Sequence, residues 1–392
     1  MRRVLIFSTA YFPFVGGAEV AIKEITDRIG DIQFDLITAR MNRKLPKQEK
    51  IGNIRVYRMG FGWGAIDKII LAKWGFLKAL KLDKKNNYDA AWSIMASQAS
   101  IAASLFKIIS GKKLILTLQE GDEEKHLARY VLNIKWLYKI LIRPWHLLVF
   151  KKADRVMAIS NHLKERAEKN GVKVPVEIVQ NGVDVNKFSI FNFQFSIIDF
   201  KKSLGIKDND KVLITTSRLV KKNAVGDIIE AMRYLPDNVK FIIVGTGSEE
   251  KNLKFKILNL KLENRVIFTG QVDNKEVPKY LKISDIFIRP SLSEGLGNSF
   301  LEAMAAGVPV IATKVGGIPD FLVDPLTSSG LAAPTGLFCQ VQNPKSIALK
   351  VKILIENSEL REKIVKNARQ MIEEKYNWKN IAKKMEKVFQ HV

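Results

Sequence analysis

Cysteine is almost missing from this 392-residue chain: Cys339 stands alone, which excludes an internal disulfide framework and suits a reducing compartment. Histidine is scarce, and His126, His146, His162 and His391 show no metal-ligand spacing. No apolar run reaches the roughly 20 residues that a bilayer span needs, because Lys or Arg interrupts each one earlier. The opening run Val4-Leu5-Ile6-Phe7 is too short for a secretory h-region and reads as a buried strand. Low-complexity tracts and short tandem repeats are absent as well. What remains is 47% apolar and 27% charged, a globular composition, and the expected location is the cytoplasm.

Acid is in short supply: 40 Asp and Glu face 64 Lys and Arg, a net charge of +24. The excess is uneven, since residues 1–183 hold 32 basic and 17 acidic side chains. Such a surface attracts nucleic acid, anionic lipid or a phosphorylated substrate, unless it simply reflects a lysine-rich proteome. No nucleic-acid recognition module is visible, and the basic stretches are interleaved with bulky aliphatics, so nucleic acid is not the expected partner.

The length suits two domains of ordinary size. Short apolar strands are expected at 4–7, 34–38, 90–93, 113–117, 155–159 and 176–179. After the first of them an amphipathic helix sets Ala21, Ile22, Ile25 and Ile29 on one face. A polar, Phe-containing linker follows at 184–203, and then the pattern restarts with strands at 211–216, 240–244, 265–269, 286–288 and 308–312. Helices are expected at 225–234, 248–260, 276–282, 299–306, 344–356 and 358–374. Apolar strands without alternation suit parallel sheets covered on both faces. The fold class is therefore α/β: two doubly wound, Rossmann-like domains, 1–183 and 204–375, expected to face each other across a cleft. A last helix at about 376–392 is expected to pack back on the first domain.

The densest chemistry lies in Ser293-Glu294-Gly295-Leu296-Gly297-Asn298-Ser299-Phe300-Leu301-Glu302, directly after the strand at 286–288. Gly295 and Gly297, with Leu296 between them, let backbone N–H groups approach a ligand closely. Asn298 or Ser299 can cap the helix that begins there, whose N-terminus favours a phosphate. Glu302, about one turn in, is suited to accept hydrogen bonds from a ribose diol, and Glu294 could do so from sugar hydroxyls. A plain glycine turn with a glutamate on the following helix would leave the same pattern. In the first domain, Gly16 and Gly17 precede a helix; their N–H groups could meet a donor phosphate or the acceptor, or simply shape a turn. Asp208-Asn209-Asp210 formally matches a D-x-D metal motif, but it precedes a strand and reads as a turn. No metal or other cofactor is expected.

Glu294 and Glu302 frame an E-x7-E signature, and through it the chain resembles the retaining glycosyltransferases of the GT-B fold, specifically glycosyltransferase family 4. The resemblance runs over nearly the whole chain. It includes Gly16-Gly17-Ala18-Glu19, Ala158-Ile159-Ser160, Gln180-Asn181-Gly182-Val183-Asp184, Ser217-Arg218-Leu219-Val220 and Val244-Gly245-Thr246-Gly247. Gly270-Gln271-Val272, Glu302-Ala303-Met304-Ala305-Ala306-Gly307 and Gly316-Gly317-Ile318-Pro319 continue it. It implies a hexosyltransferase that moves sugar from a nucleoside-diphosphate donor, UDP- or GDP-linked, to a glycan or lipid-linked acceptor. It implies donor contacts at Gly245, Gly247, Gln271, Val272 and Gly295 through Ser299, with Glu302 on ribose and Glu294 on the sugar. Arg218 and a nearby lysine would meet the charge developing on the departing diphosphate. In relatives that phosphate assists acceptor deprotonation on the same face, without a carboxylate nucleophile. A nucleotide-sugar epimerase or a phosphorylase of the same fold is the alternative, and the E-x7-E frame argues against both.

Two positions depart from the family pattern. The usual lysine after Arg218-Leu219-Val220 is Asn223, so Lys222 or Lys221 must supply the charge, Lys222 being favoured. In Thr117-Leu118-Gln119-Glu120-Gly121-Asp122, Gln119 takes a histidine position. Its amide can hold a sugar hydroxyl and its carbonyl can steer the acceptor, but it cannot act as a base. Asp122 or Glu120 could carry a charge near the acceptor, or Asp122 could cap the next helix.

Residues 125–152 hold seven Lys or Arg and no acid, with Trp136, Tyr138 and Trp145 among aliphatics. On a helix, Lys125, Arg129, Lys135, Lys139 and Arg143 fall within an arc of about 120°, with Pro144 expected to end it. That pattern suits a helix lying on an anionic membrane, or a domain helix with its lysines in water. Residues 61–85 repeat the mixture with Trp63, Trp74 and Phe76. The expectation is a peripheral enzyme on the inner face of the cytoplasmic membrane, acting on a lipid-linked or other cell-envelope precursor.

Overall fold

The computed structural model describes residues 1–119, 136, 140, 143–188, 196–326 and 333–392. The chain divides into two compact units, Met1–Asn181 with Trp378–Val392, and Gly182–Asn377.

The first unit is built on an eight-stranded sheet. Its strands are β1 (Arg2–Phe7), β2 (Ile32–Ala39), β3 (Gln48–Ile51), β4 (Ile54–Met59), β5 (Ala90–Ile94), β6 (Lys113–Leu118), β7 (Arg155–Ala158) and β8 (Val176–Ile178). They lie in the order β3-β4-β2-β1-β5-β6-β7-β8, parallel except for the β3–β4 hairpin. Val4 pairs with Phe34 on one side and Ala90 on the other, so β1 is central and buried on both faces. Its apolar, unalternating sequence follows from that position. Helices α1 (Gly17–Thr26), α2 (Ala65–Asn86), α3 (Gln98–Ser110), α4 (Arg143–Lys152) and α5 (Asn161–Lys169) connect the strands.

The second unit holds α6 (Val185–Phe188), α7 (Ile197–Ser203), α8 (Val225–Ala231), α9 (Glu250–Asn259), α10 (Val277–Lys282), α11 (Asn298–Ala306), α12 (Pro344–Glu356) and α13 (Ser358–Lys375). Its strands are β9 (Lys211–Thr216), β10 (Val239–Val244), β11 (Val266–Gly270), β12 (Ile286–Arg289), β13 (Val310–Thr313) and β14 (Leu337–Cys339). All are parallel, in the order β11-β10-β9-β12-β13-β14. The segment expected as a linker at 184–203 belongs to this unit and carries α6 and α7.

Each sheet is covered on both faces. In the first unit, α1 packs on one face together with α14 (Trp378–Gln390), through Trp378, Ile381, Met385 and Phe389. The Phe389 ring meets Phe34 and Trp92 edge-on at 5.7 and 5.2 Å, and Arg2 donates to its carbonyl. Helices α2 and α3 cover the other face through Leu71, Ala79, Leu82, Ala102 and Phe106. Both units are thus doubly wound α/β layers.

The helix expected to end at Pro144 lies almost wholly outside the described residues; Pro144 itself is within α4. The hairpin β3–β4 and the short β14 were not anticipated from the sequence.

Candidate active site

Doubly wound sheets bind ligands at the carboxyl ends of their strands, where the order of connections reverses. In the second unit that reversal lies between β9 and β12; in the first, between β1 and β5.

In the second unit the loops leaving the strands are stitched into one ridge. After β9, Ser217 N donates to Val244 O and Leu219 N to Thr246 O, at 3.0 and 2.9 Å. Gly245 N donates to Gly270 O at 2.8 Å, joining the loop after β11. Leu292 N donates to Lys222 O at 2.7 Å, which ties the loop after β12 to that after β9. Gly317 N reaches Glu294 O at 3.2 Å from the loop after β13. Gly245 and Gly247 serve this stitching: a Cβ there would come within 2.0 Å of Ser217 O and 2.2 Å of Leu219 O. Of the expected donor contacts, Gln271 is exposed and Val272 half-buried, both beyond β11, two strands from the reversal.

The centre of the ridge is a residue that no motif singled out. Arg289, the last residue of β12, is 6% exposed. Its Nη2 is ion-paired with Glu294 and its Nη1 donates to Ser299 Oγ at 2.6 Å. The guanidinium lies over the Phe300 ring at 4.2 Å, and its Nε makes no hydrogen bond among the described residues. Glu294 Oε1 also accepts from Gly295 N at 3.2 Å. Gly297 lets the loop pass so closely: its φ is 91°, and a Cβ would sit 2.4 Å from the Phe300 ring and 2.7 Å from Arg289 Nη2. The arginine was legible only as a cation interrupting an apolar strand.

The N-cap of α11 is Gly297, which has no side chain to offer, so neither Asn298 nor Ser299 caps the helix. Asn298 and Ser299 are its first two residues; Leu296 is buried and can offer a ligand only its backbone. One turn on, Glu302 is half-buried, and burial raises its carboxyl pKa above the ordinary value while Lys187 on α6 and Arg289 pull it back down. Glu294 and Glu302 therefore share the field of one buried guanidinium.

The cations expected near a diphosphate sit on the loop after β9. Arg218 is exposed, and Lys222 is half-buried in the turn Lys221–Asn223. Asn223, standing where the family carries lysine, is buried and donates from Nδ2 to Arg218 O at 2.7 Å. It shapes the loop from inside. The buried hydroxyls of Thr215, Thr216, Ser217 and Ser291, at the carboxyl ends of β9 and β12, make no hydrogen bond among the described residues. Leaving such groups unpaired costs about 1–3 kcal/mol each, so a polar ligand or water is favoured there. Asp208-Asn209-Asp210 lies at the other end of β9, where Asp210 accepts from Lys207 N at 2.9 Å and closes a turn.

In the first unit, Gly16 and Gly17 lie after β1 at the reversal, as the start of α1. The Glu19 side chain reaches back and accepts from Gly16 N at 2.9 Å, so that amide is engaged by the chain itself. Gln119, after β6, accepts from Asn181 Nδ2 at 3.0 Å; its carbonyl holds the end of the first unit rather than pointing only to an acceptor. Asp122, Glu120, Lys125, Arg129, Lys135 and Lys139 lie outside the described residues. Trp136, Arg143 and Trp145 are exposed. Among the described residues, no helix is long and apolar enough to cross a membrane.

Residues 15–187 match the family Glycosyltransferase Family 4, and residues 196–371 match Glycosyl transferases group 1. The chain is 30% identical over 319 residues to the N-acetyl-alpha-D-glucosaminyl L-malate synthase of Bacillus anthracis, covering 80% of this chain and 78% of that one. It is 27% identical to the alpha-monoglucosyldiacylglycerol synthase of Streptococcus pneumoniae, over 79% and 70% of the two chains. Among solved structures, Anabaena HepE in complex with UDP and glucose shares the fold with a TM-score of 0.79 at 20% identity, over the whole of both chains.

Proposed function

The chain belongs to the glycosyltransferases of family 4 and group 1, hexosyltransferases of the GT-B fold, and from that membership we propose that it is a retaining enzyme that carries a sugar from a UDP- or GDP-linked donor to a lipid-linked saccharide or related cell-envelope precursor at the inner face of the cytoplasmic membrane. The observation that carries the donor half is the arrangement around Arg289: a buried guanidinium ion-paired with Glu294 and donating to Ser299, beside a helix start that no side chain caps.

The chemistry follows from those groups. Glu302 accepts hydrogen bonds from the ribose diol, and the amides at the start of α11 meet sugar or phosphate. Arg218 and Lys222 face the charge that grows on the diphosphate as it departs. Glu294 is already ion-paired and receives a backbone amide, so it is a poor nucleophile and a good acceptor for sugar hydroxyls. That supports retention through the leaving phosphate, which takes the acceptor's proton on the face it vacates, and it calls for no metal ion. Acceptor contacts fall to the first unit. Relatives named for a malate and for a diacylglycerol product show how widely acceptors vary within the family.

The test is a thermal-shift screen of UDP-, GDP- and ADP-sugars on the wild type and on Glu302→Ala, followed by anomeric analysis of the product. One donor should stabilise the wild type and not the variant, with the donor's anomeric configuration kept. Equal stabilisation of both proteins would remove Glu302 from the site, and an inverted product would overturn retention.

A further inference from the structure

Helix α2 is anchored by one face and leaves another apolar face in water. Leu71, Gly75, Ala79 and Leu82 are buried against the first sheet and α3. On the outward side Ile66, Ile69 and Leu77 are each at least half exposed, which no packing among the described residues explains. At about 100° per residue, Ile66, Ile69, Lys73, Trp74, Leu77, Lys81 and Lys84 share an arc of about 140°.

The chain before α2 is built to extend this face. Asp67, fully buried, accepts from Phe61 N at 2.6 Å and also from Trp63 N. Gly60, Gly62 and Gly64 take φ of 113°, 86° and 72°. A Cβ at Gly60 would fall 2.1 Å from Asp67 Oδ1, and one at Gly62 2.4 Å from Arg43 N. The loop is thus held in one shape, and that shape turns two large rings outward. Phe61 and Trp63 stack at 4.7 Å and remain 45% and 51% exposed. Trp74 meets Phe61 edge-on at 5.7 Å, and Arg43 lies 6.0 Å from the Trp63 ring centre. Holding apolar side chains in water through a buried carboxylate and three glycines costs stability, so the arrangement points to an occupant.

We propose that residues 60–64 and the outward face of α2 are the surface by which this protein lies on an anionic lipid bilayer, an assignment that rests on the membrane role proposed above. Amphipathic aromatic rings and aliphatics enter the headgroup boundary while lysines meet lipid phosphates. Six lysines, Lys68, Lys73, Lys78, Lys81, Lys84 and Lys85, lie on α2. The two acids of the helix are turned to backbone amides, Asp67 to the loop and Asp83 to Tyr88 N at 2.8 Å. The exposed face therefore carries charge of one sign. A glycan platform would set polar side chains among the rings; here the exposed Ile66, Ile69 and Leu77 share the arc of Trp74, and Arg43 lies beside Trp63.

The full chain is mixed with vesicles of phosphatidylcholine with and without phosphatidylglycerol, and with soluble oligosaccharides. The variants are Trp63→Ser with Trp74→Ser, and Lys73→Glu with Lys81→Glu and Lys84→Glu; thermal stabilisation by the nucleotide sugar checks that each is folded. The wild type should bind anionic vesicles in a salt-sensitive manner, and each variant should bind at least about tenfold more weakly with donor stabilisation unchanged. Wild-type binding that both variants keep would overturn this surface and leave the membrane role standing elsewhere in the chain. Absence of binding by the wild type would overturn both. Oligosaccharide-dependent tryptophan fluorescence lost in the Trp63→Ser, Trp74→Ser variant, without vesicle binding, would reassign the platform to a glycan.

Discussion

Each sheet carries a helix start at its reversal point, and the two starts are finished differently. Both follow a glycine: Gly16 before α1 and Gly297 before α11. The third helical residue decides the outcome. At α1 it is Glu19, whose carboxylate folds back to accept from the Gly16 amide, the half of a capping box that a glycine N-cap allows. At α11 it is Phe300, which cannot cap and instead supports the Arg289 guanidinium from below. An anion arriving at α1 meets a carboxylate already in place. An anion arriving at α11 meets amides that no side chain caps, beside a buried cation. A glycine before a helix is therefore not enough to mark a phosphate site.

The largest effect should come from removing that cation. Arg289→Ala leaves Glu294 in a low-dielectric setting without its partner, and should cost about 3–5 kcal/mol in urea unfolding. Loss of less than about 1 kcal/mol would show that the pair is solvated and does not organise α11. Next is Gly297→Ala, which forces a side chain into a left-handed φ against Phe300 and Arg289. It should destabilise by about 1–3 kcal/mol, with donor affinity falling alongside.

Glu302→Gln separates stability from function. Because burial raises the Glu302 pKa, the folded protein holds this proton more tightly than the unfolded chain does. Stability from this group is thus lost as pH rises from its ordinary value of 4.5 through the raised one, and the ionised side chain is a burden at neutral pH. The glutamine variant should match wild type at low pH, melt higher at pH 7, and bind donor about tenfold to a hundredfold more weakly. A variant that melts lower at pH 7 than at pH 4 relative to wild type would reverse the sign. The smallest effect belongs to α1: Glu19→Ala should cost about 1 kcal/mol, read by thermal unfolding, and leave donor stabilisation unchanged. A tenfold change in donor affinity there would erase the distinction between the two helix starts.

Most strands that sequence reading found are buried on both faces, the edge strands β8 and β11 excepted, because an unbroken apolar run is itself the record of that environment. The β3–β4 hairpin was missed for the opposite reason. Gln48–Ile51 is half in water, and β4 carries Arg58, which is 3% exposed, ion-paired with Glu49 and donating to Phe12 O at 2.7 Å. A buried arginine looks like a surface residue until its partners are in view. Arg289 escaped notice in the same way. Asn223 and Gln119 were legible as departures from the family, yet their side-chain partners, Arg218 O and Asn181, lie across a turn or in another segment.

Local chemistry along the chain settled two α/β halves, the glycine-edged loop from Glu294 to Glu302, and membership in a class of sugar-transferring enzymes, because each is written in neighbouring residues. Which helix start remains uncapped, which buried arginine holds Glu294, and which face of α2 stays in water were decided only on folding. Those properties depend on burial and on partners distant in the chain, and a residue's type does not carry them.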